Sequence, residues 1–358
     1  YINQRGIFMK CKKLVSLVTS MSVIAMVFAG CSSSGKTATK PDTTTKVTFK
    51  DGMVTDTGGV NDQSFNQGSW KGLQSFAKKN SGVQVKYLES VQSSNYPSNL
   101  NQFASNKYNL VWGIGYLMED AVKASAKAYP NVKFAVIDDA MTPHMSNVTG
   151  VIFKAQESSF LVGYIAALKT KTNKVGFIGG ITGNVIDQFD YGYRAGVAYG
   201  AKELGKTITV NVQYANSFSD SSLGKAISQN MYAKGADIIF TAAGNVGQGM
   251  VAEAKSENKL CIGVDMDQSY LAPNNMLTSS LKNVGNVTEA VSKQIKDGVN
   301  VGGKTLNYGL KENGVGVPYT AQAIKMCGQD VLDKTKKVSA DIVSGKIVPP
   351  YNKDTFGK

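Results

Sequence analysis

The chain has 358 residues, with 39 Lys and Arg against 26 Asp and Glu, a net charge of +13, four cysteines and one histidine. That length suffices for two domains of ordinary size. The lone His144 nearly excludes a His-based triad or a His-rich zinc site, the cysteines make no metal or disulfide spacing, and the scattered lysines form no long run and accompany no recognisable nucleic-acid module.

Tyr1 to Phe8 reads as an over-extended start, because Met9 opens a better secretory signal. Lys10, Lys12 and Lys13 form its positive end, and Leu14 to Phe28 is apolar apart from Ser and Thr. The run is short and ends in Ala29-Gly30, so it reads as a signal over 1–30 rather than a membrane span. Cys31 directly after Ala-Gly is the expected lipidation site, although Phe28 stands where Leu is usual three residues before the Cys. Residues 31–46, rich in Ser, Thr and Lys, cannot bury enough apolar surface to fold and are expected to form a flexible tether. Removing 1–30 takes away four basic residues and no acids, leaving 35 against 26 and a net charge of +9. That balance suits solvated lysine faces working near an anionic envelope surface.

The first globular stretch carries the strongest local signal. A strand over Val47–Val54 ends in Asp56-Thr57-Gly58-Gly59-Val60-Asn61-Asp62-Gln63-Ser64, and a helix follows over Phe65–Lys79. Gly58 and Gly59 permit a tight turn, and Asp62 or Ser64 can cap the helix. Phe65 at the helix start reads either as a core residue or as an aromatic wall for a planar ligand. Strand and helix then alternate: Val83–Leu88, Tyr96–Ser105, Asn109–Trp112, Leu117–Tyr129, Lys133–Ile137, and an extended Val148–Phe153 able to cross between lobes.

The pattern restarts with a helix over Glu157–Leu168 and a strand over Lys174–Ile178 ending in Gly179-Gly180. Ile186–Leu204, Leu223–Lys234 and Val246–Asn258 read as helices, and Ile208–Tyr214, Asp237–Thr241 and Leu260–Val264 as strands. Leu277–Leu281 is extended, Val284–Asp297 helical, Lys304–Leu310 extended, and a last helix covers Gln329–Ser344. Two successive βαβ halves predict an α/β fold with two doubly wound parallel-sheet lobes joined by a hinge. Their expected extents are 47–154 plus about 283–310, and 155–282 plus about 311–358.

Polar residues gather where these strands end. Asp56, Asp62, Asp138, Asp139, Phe218, Asp220, Gly244, Asn245, Asp265 and Lys282 lie at or just past a strand's carboxyl end, where open α/β sheets bind ligands. Each acid alone reads equally well as a cap, but together they outline a cleft. Asp265-Met266-Asp267 lacks the Gly and terminal Glu of a calcium loop, and Gly244 to Gly249 lacks the Lys of a phosphate loop. Cys261, in an apolar run, reads as a buried small hydrophobe and His144 as a surface residue.

The motifs Asp56 to Gln67, Val136-Ile137-Asp138-Asp139, Val175 to Gly180, Lys234 to Ile239 and Ile262 to Gln268 resemble the basic membrane protein family. These are purine-nucleoside receptor lipoproteins of bacterial ABC importers, and the likeness runs from about Val47 to Pro350. The resemblance implies a type I periplasmic-binding-protein fold holding a nucleoside between its lobes. By position, Phe65 and Phe218 match the aromatics on the two faces of the base. Asp265 matches the acid that takes the ribose hydroxyls, Lys282 a polar partner from the crossover strand, and Gly244 a close backbone approach. Asp56, Asn66 and Asp138 are further candidates for base or ribose contacts, and Asn61 stands where the family commonly has an acid. No cofactor, metal or catalytic residue is implied. The implied partners are a nucleoside, a permease and an ATPase, and the membrane through the lipid on its extracytoplasmic face, with the receptor itself a monomer.

Stacking contributes about 1–3 kcal/mol per base. Ionised carboxylates are pure acceptors and suit ribose hydroxyls. A carboxylate-lined cleft is expected to bind adenosine or inosine and to refuse their monophosphates. A nucleoside hydrolase or phosphorylase, a binding lipoprotein of the same fold for a sugar or signalling molecule, and a surface adhesin are the alternatives.

Overall fold

The computed structural model describes residues 46–357; the expected signal, Cys31 and the tether up to residue 45 lie outside the described residues. β1 (Phe49–Val54), α1 (Phe65–Lys79), β2 (Val83–Leu88), α2 (Tyr96–Ser105), β3 (Leu110–Ile114), α3 (Glu119–Ala128), β4 (Lys133–Ile137) and β5 (Val148–Phe153) alternate through the first lobe. The second lobe follows with α4 (Ala155–Lys169), β6 (Lys174–Gly179), α5 (Asn184–Glu203), β7 (Thr209–Tyr214) and α6 (Ser221–Ala233). It continues through β8 (Ile238–Ala242), α7 (Val246–Ser256), β9 (Leu260–Asp265) and β10 (Met276–Lys282). The chain then returns for α8 (Val284–Lys296) and β11 (Thr305–Tyr308), and ends with β12 (Val315–Gly316), α9 (Ala321–Cys327) and α10 (Gln329–Val343).

The first sheet has strand order β11-β5-β4-β3-β1-β2 and is parallel throughout. The second has order β12-β10-β9-β8-β6-β7, parallel except for the short β12 against β10. Leaving aside the edge strands β11 and β12, the two orders are the same. Central strands such as β3 (LVWGI) and β8 (IIFTA) are buried at every residue, as parallel strands covered on both faces must be. Helix α4 is apolar nearly all round because α5, α10 and β10 enclose it. Its approach to α5 is close: a Cβ at Gly163 would lie 2.2 Å from the Tyr193 carbonyl oxygen.

The chain passes between the sheets after β5, after β10 and after β11. These connections are tied to one another. The Lys154 N–H donates to the Tyr308 carbonyl at 2.9 Å, and the Asn283 N–H to the Gly314 carbonyl at 2.8 Å. Val148–Phe153 therefore does not itself cross. It is a full strand between β4 and β11, and the crossing begins at Lys154. Other departures are local. Val47 and Thr48 precede β1, β3 extends through Gly113-Ile114, and Tyr116–Met118 forms a separate helical turn before α3. No helix among the described residues is long and apolar enough to cross a membrane.

Candidate functional site

The carboxyl ends of both sheets face one narrow cavity. Asp56, Phe65, Asn66 and Asp138 reach it from the first lobe, and Phe218, Gly244, Asp265 and Lys282 from the second. Asp62 completes a cluster of four carboxyl groups facing one ammonium.

The turn after β1 is built around buried acids. Asp62 accepts the N–H groups of Ser64, Asn66 and Gln67 at 2.9, 2.8 and 3.0 Å, so it caps α1. Ser64, the other expected cap, makes no cap bond; its hydroxyl donates across the cleft to Asp265. The Asn66 amide donates to Asp56 at 2.7 Å and to Asp62 at 3.1 Å, which fixes it between the two carboxyls. Asp56 also accepts the Gly58 N–H at 2.8 Å. Phe65, at the helix start, is thereby aimed into the cavity by a network on the residues either side of it.

The second lobe shapes its side with small residues. A Cβ at Gly180, after β6, would lie 2.1 Å from the Phe218 ring, so only glycine leaves room for that ring. Gly244, at φ +56, brings its backbone against the carbonyl of Phe218. Two acids occupy matching places in the two sheets. Asp138 follows β4 at φ 71 and Asp265 ends β9 at φ 64, both in the left-handed region that Asp tolerates better than most residues. Lys282, at the end of β10, is 2 % exposed and pairs with Asp138 across the cleft. Its ammonium also lies 4.6 Å from the centre of the Phe65 ring, a cation–π contact.

Burial dominates the electrostatics. It raises Asp56 to about 6 against the opposing pull of Asn66 and the Gly58 N–H, with Asp62 and Asp138 adding to the rise. It raises Asp265 to about 7, although Lys282 and the Ser64 hydroxyl favour the charged form. Asp62 is raised by burial against its three N–H donors. Among the described residues no group of three or more His, Cys, Asp or Glu is arranged to hold a metal ion.

A family profile described as "ABC transporter substrate-binding protein PnrA-like" matches residues 49–353. The chain belongs to this PnrA-like family. Similar relatives include the "ABC transporter nucleoside-binding protein BmpA" of Lactococcus lactis subsp. cremoris, 38% identical over 95% of this chain and 99% of the relative. "Basic membrane protein A" of Borreliella afzelii is 40% identical over 84% of this chain and 91% of its own length. A solved solute-binding protein of an ABC transporter system from Aeropyrum pernix K1 superposes with a TM-score of 0.78 at 26% identity, covering 86% of this chain and 95% of that one. The PnrA-like proteins are substrate-binding proteins of ABC transporters, not enzymes, which sets aside the hydrolase and phosphorylase alternative.

Within this PnrA-like chain the cavity also draws on residues that sequence reasoning passed over. Tyr116 packs edge-on against Phe218 with ring centres 6.5 Å apart, and its hydroxyl donates to the Ile181 carbonyl at 3.2 Å. Burial first, then Asp138 and Asp56, keep that phenol protonated. Phe189, Val185 and Ile186 on the first turns of α5 supply an apolar wall. Tyr116 follows Gly115 at the carboxyl end of β3, a position of the same kind as those already singled out. Phe189 gives no such signal, because its spacing in α5 is that of an ordinary core residue.

Proposed function

We propose that the chain is the nucleoside receptor of an ABC importer, with purine nucleosides favoured. The observation that carries the reading is the convergence of one aromatic from each lobe, Phe65 and Phe218, on one cavity lined with carboxyl groups. The base stacks between the two rings. Ribose hydroxyls donate to Asp265, with Lys282 as a neighbouring donor. Asp56, Asn66 and Asp138 take the remaining polar edges, and Gly244 allows close approach. The two lobes, divided as the sequence suggests, move as bodies about the three connections. Cys31 carries the lipid that holds the receptor on the extracytoplasmic face, near its permease and ATPase.

Lactococcus BmpA, described as nucleoside-binding, supports the substrate class. The charge of the cavity supports selectivity against nucleotides, because a phosphate would meet four carboxyl groups and an ammonium already paired with Asp138. Calorimetric titration of the chain from Ser32 onward with inosine, adenosine, guanosine, cytidine, ribose and adenosine monophosphate tests the proposal. Binding of the purine nucleosides, at least about tenfold weaker binding of ribose and none of the monophosphate, is the expected pattern. Equal affinity for the monophosphate, or preference for ribose, would sink it.

A further inference from the structure

The edge of the first lobe that points away from the cavity is strongly basic. Every strand of this sheet is parallel, so strand starts and helix ends share that edge. Lys50, Lys133 and Lys304 stand at or beside the starts of β1, β4 and β11, and Lys46 precedes β1. Lys78 and Lys127 lie in the last turns of α1 and α3, and Lys107 follows α2. All seven are exposed except Lys50, which is half-buried, and none has a carboxylate partner among the described residues. The acids near this edge are already used: Asp297 pairs with Lys293 and Lys296, and Glu289 with Lys79.

Lysine at a helix carboxyl end offsets the helix dipole, and this explains Lys78 and Lys127. It does not explain the lysines on strand starts. Lys50 and Lys133 flank Asn109, whose side chain accepts the Lys50 N–H at 2.7 Å and whose carbonyl accepts the Lys133 N–H at 3.3 Å. A groove opens beside them, lined by Lys107, Lys133, Tyr108 and Val299. Val299 is 51 % exposed, an apolar tip within a basic field. The second lobe's corresponding edge carries exposed lysines too, Lys174, Lys206, Lys234 and Lys255 among them, but Glu203, Asp237 and Glu257 lie between them.

We infer that this edge of the first lobe is a docking face for the anionic lipid surface of the membrane. Charge complementarity supports it, since a lysine held near an anionic bilayer raises partitioning about fivefold. So does the path of the chain, which enters the described residues at Lys46 on this same edge. A tether from Cys31, in the reading above, would deliver this face to the lipid first. Docked this way, the receptor turns the carboxyl ends of the first sheet, and the cavity, away from the bilayer. The nucleoside can then enter without meeting the membrane.

Sedimentation with vesicles tests the inference on the chain from Ser32 onward, which lacks the proposed lipid and keeps all of the packed residues. The expected result is binding to vesicles of mixed phosphatidylglycerol and phosphatidylcholine, little to phosphatidylcholine alone, and release as salt shortens the screening length. The triple variant Lys107→Glu, Lys133→Glu, Lys304→Glu is expected to lower partitioning more than about tenfold. The control triple on the second lobe, Lys202→Glu, Lys206→Glu, Lys255→Glu, makes the same change in net charge and is expected to lower it less than about threefold. Equal losses in the two triples, or equal binding to both vesicle types, would overturn the inference. Nucleoside titration of each variant reports folding and the cavity separately, so failure of the receptor reading would appear there and not in the vesicles.

Discussion

The two lobes share a strand order but meet the cavity with different chemistry. The first brings a network of buried acids and an amide, with Asp56, Asp62 and Asn66 bonded to one another and to backbone N–H groups. The second brings mostly apolar and small residues, Ile186, Phe189, Phe218, Ala243 and Gly244, with only Asp265 and Lys282 charged. The first half of the site is tied together by its own hydrogen bonds, whereas the second half is mostly an apolar wall facing it. Preorganised polar groups lose little on binding, and an apolar wall rewards closure by shedding water. A receptor that must also release its cargo is well served by keeping the directional bonds on one lobe and the closing force on the other.

Lys282 breaks that division most, being a buried cation of the second lobe held by an acid of the first. Lys282→Met is expected to cost about 3–5 kcal/mol of stability, because Asp138 is left charged and unpaired. Adding Asp138→Asn is expected to recover most of it, as read from urea midpoints. Recovery confined to the double variant would place the cost in the stranded charge; equal destabilisation of both would place it in lost packing around Lys282.

Next comes the cap. Asp62→Ala leaves three N–H donors of the turn that aims Phe65 without their acceptor, and is expected to cost about 2–3 kcal/mol. Ser64→Ala, despite occupying the formal cap position, should leave the helix intact and disturb only the contact with Asp265. Thermal melts of the two variants separate the roles.

The acids also tie stability to pH. Burial lifts Asp56 to about 6 and Asp265 to about 7 in the folded protein, well above ordinary carboxyl groups. The folded state therefore holds protons that the unfolded chain releases near pH 4. Their contribution to stability is fully present below about pH 4 and is lost as pH rises through 6 and 7. Urea midpoints of the ligand-free protein should thus fall between pH 5 and pH 8, and the fall should shrink in Asp56→Asn/Asp265→Asn. Asp51, buried in the first lobe's core and lifted to about 8 by burial against the pull of Ser292 and Trp112, steepens the same fall and extends it to about pH 8, a part that Asp51→Asn removes.

The two rings allow a cleaner comparison. Phe65→Ala and Phe218→Ala are each expected to weaken purine binding by about 1–3 kcal/mol while changing stability much less, since both rings are only half-buried. If the first lobe is the rigid half, Phe65→Ala should act mainly on affinity. Phe218→Ala, which also frees Tyr116 from its edge contact, should slow closure as well. Stopped-flow binding rates distinguish the two.

Much of this architecture was legible because the central parallel strands read as near-continuous apolar runs and several ended in a glycine or an acid. Helices such as Phe65–Lys79 and Tyr96–Ser105 fall on their sequence-derived limits. Helix α9 and strand β12 were not legible. Seven residues and two residues are too short to show a period, and they exist because Ala323, Cys327 and Val315 find neighbours on β10 and the cores beside it. At the site, strand-end residues announced themselves through turn chemistry. Phe189 did not, because what sets it there is contact with distant strands. The contacts of Ser64 were equally hidden, since its partner lies 201 residues away.

The smallest effects concern a further set of contacts between the lobes, made by the loop between β1 and α1. The carbonyls of Gly58, Asn61 and Gln63 accept Asn245, Gln248 and Gln268 at 2.6, 3.3 and 2.8 Å, and the Gln63 side chain accepts the Tyr270 hydroxyl at 2.8 Å. The first three use the main chain of the first lobe, so no substitution there can delete them. Only the second lobe's side chains can be removed. Asn245→Ala is expected to cost about 0.5–1.5 kcal/mol of closure, and Tyr270→Phe, at an exposed rim, less. Both should speed nucleoside release, by up to about tenfold for Asn245→Ala, with little change in association rate. A variant that lowered association instead would mean that the loop is already engaged in the encounter complex, and that the first lobe captures the ligand only after the lobes have met.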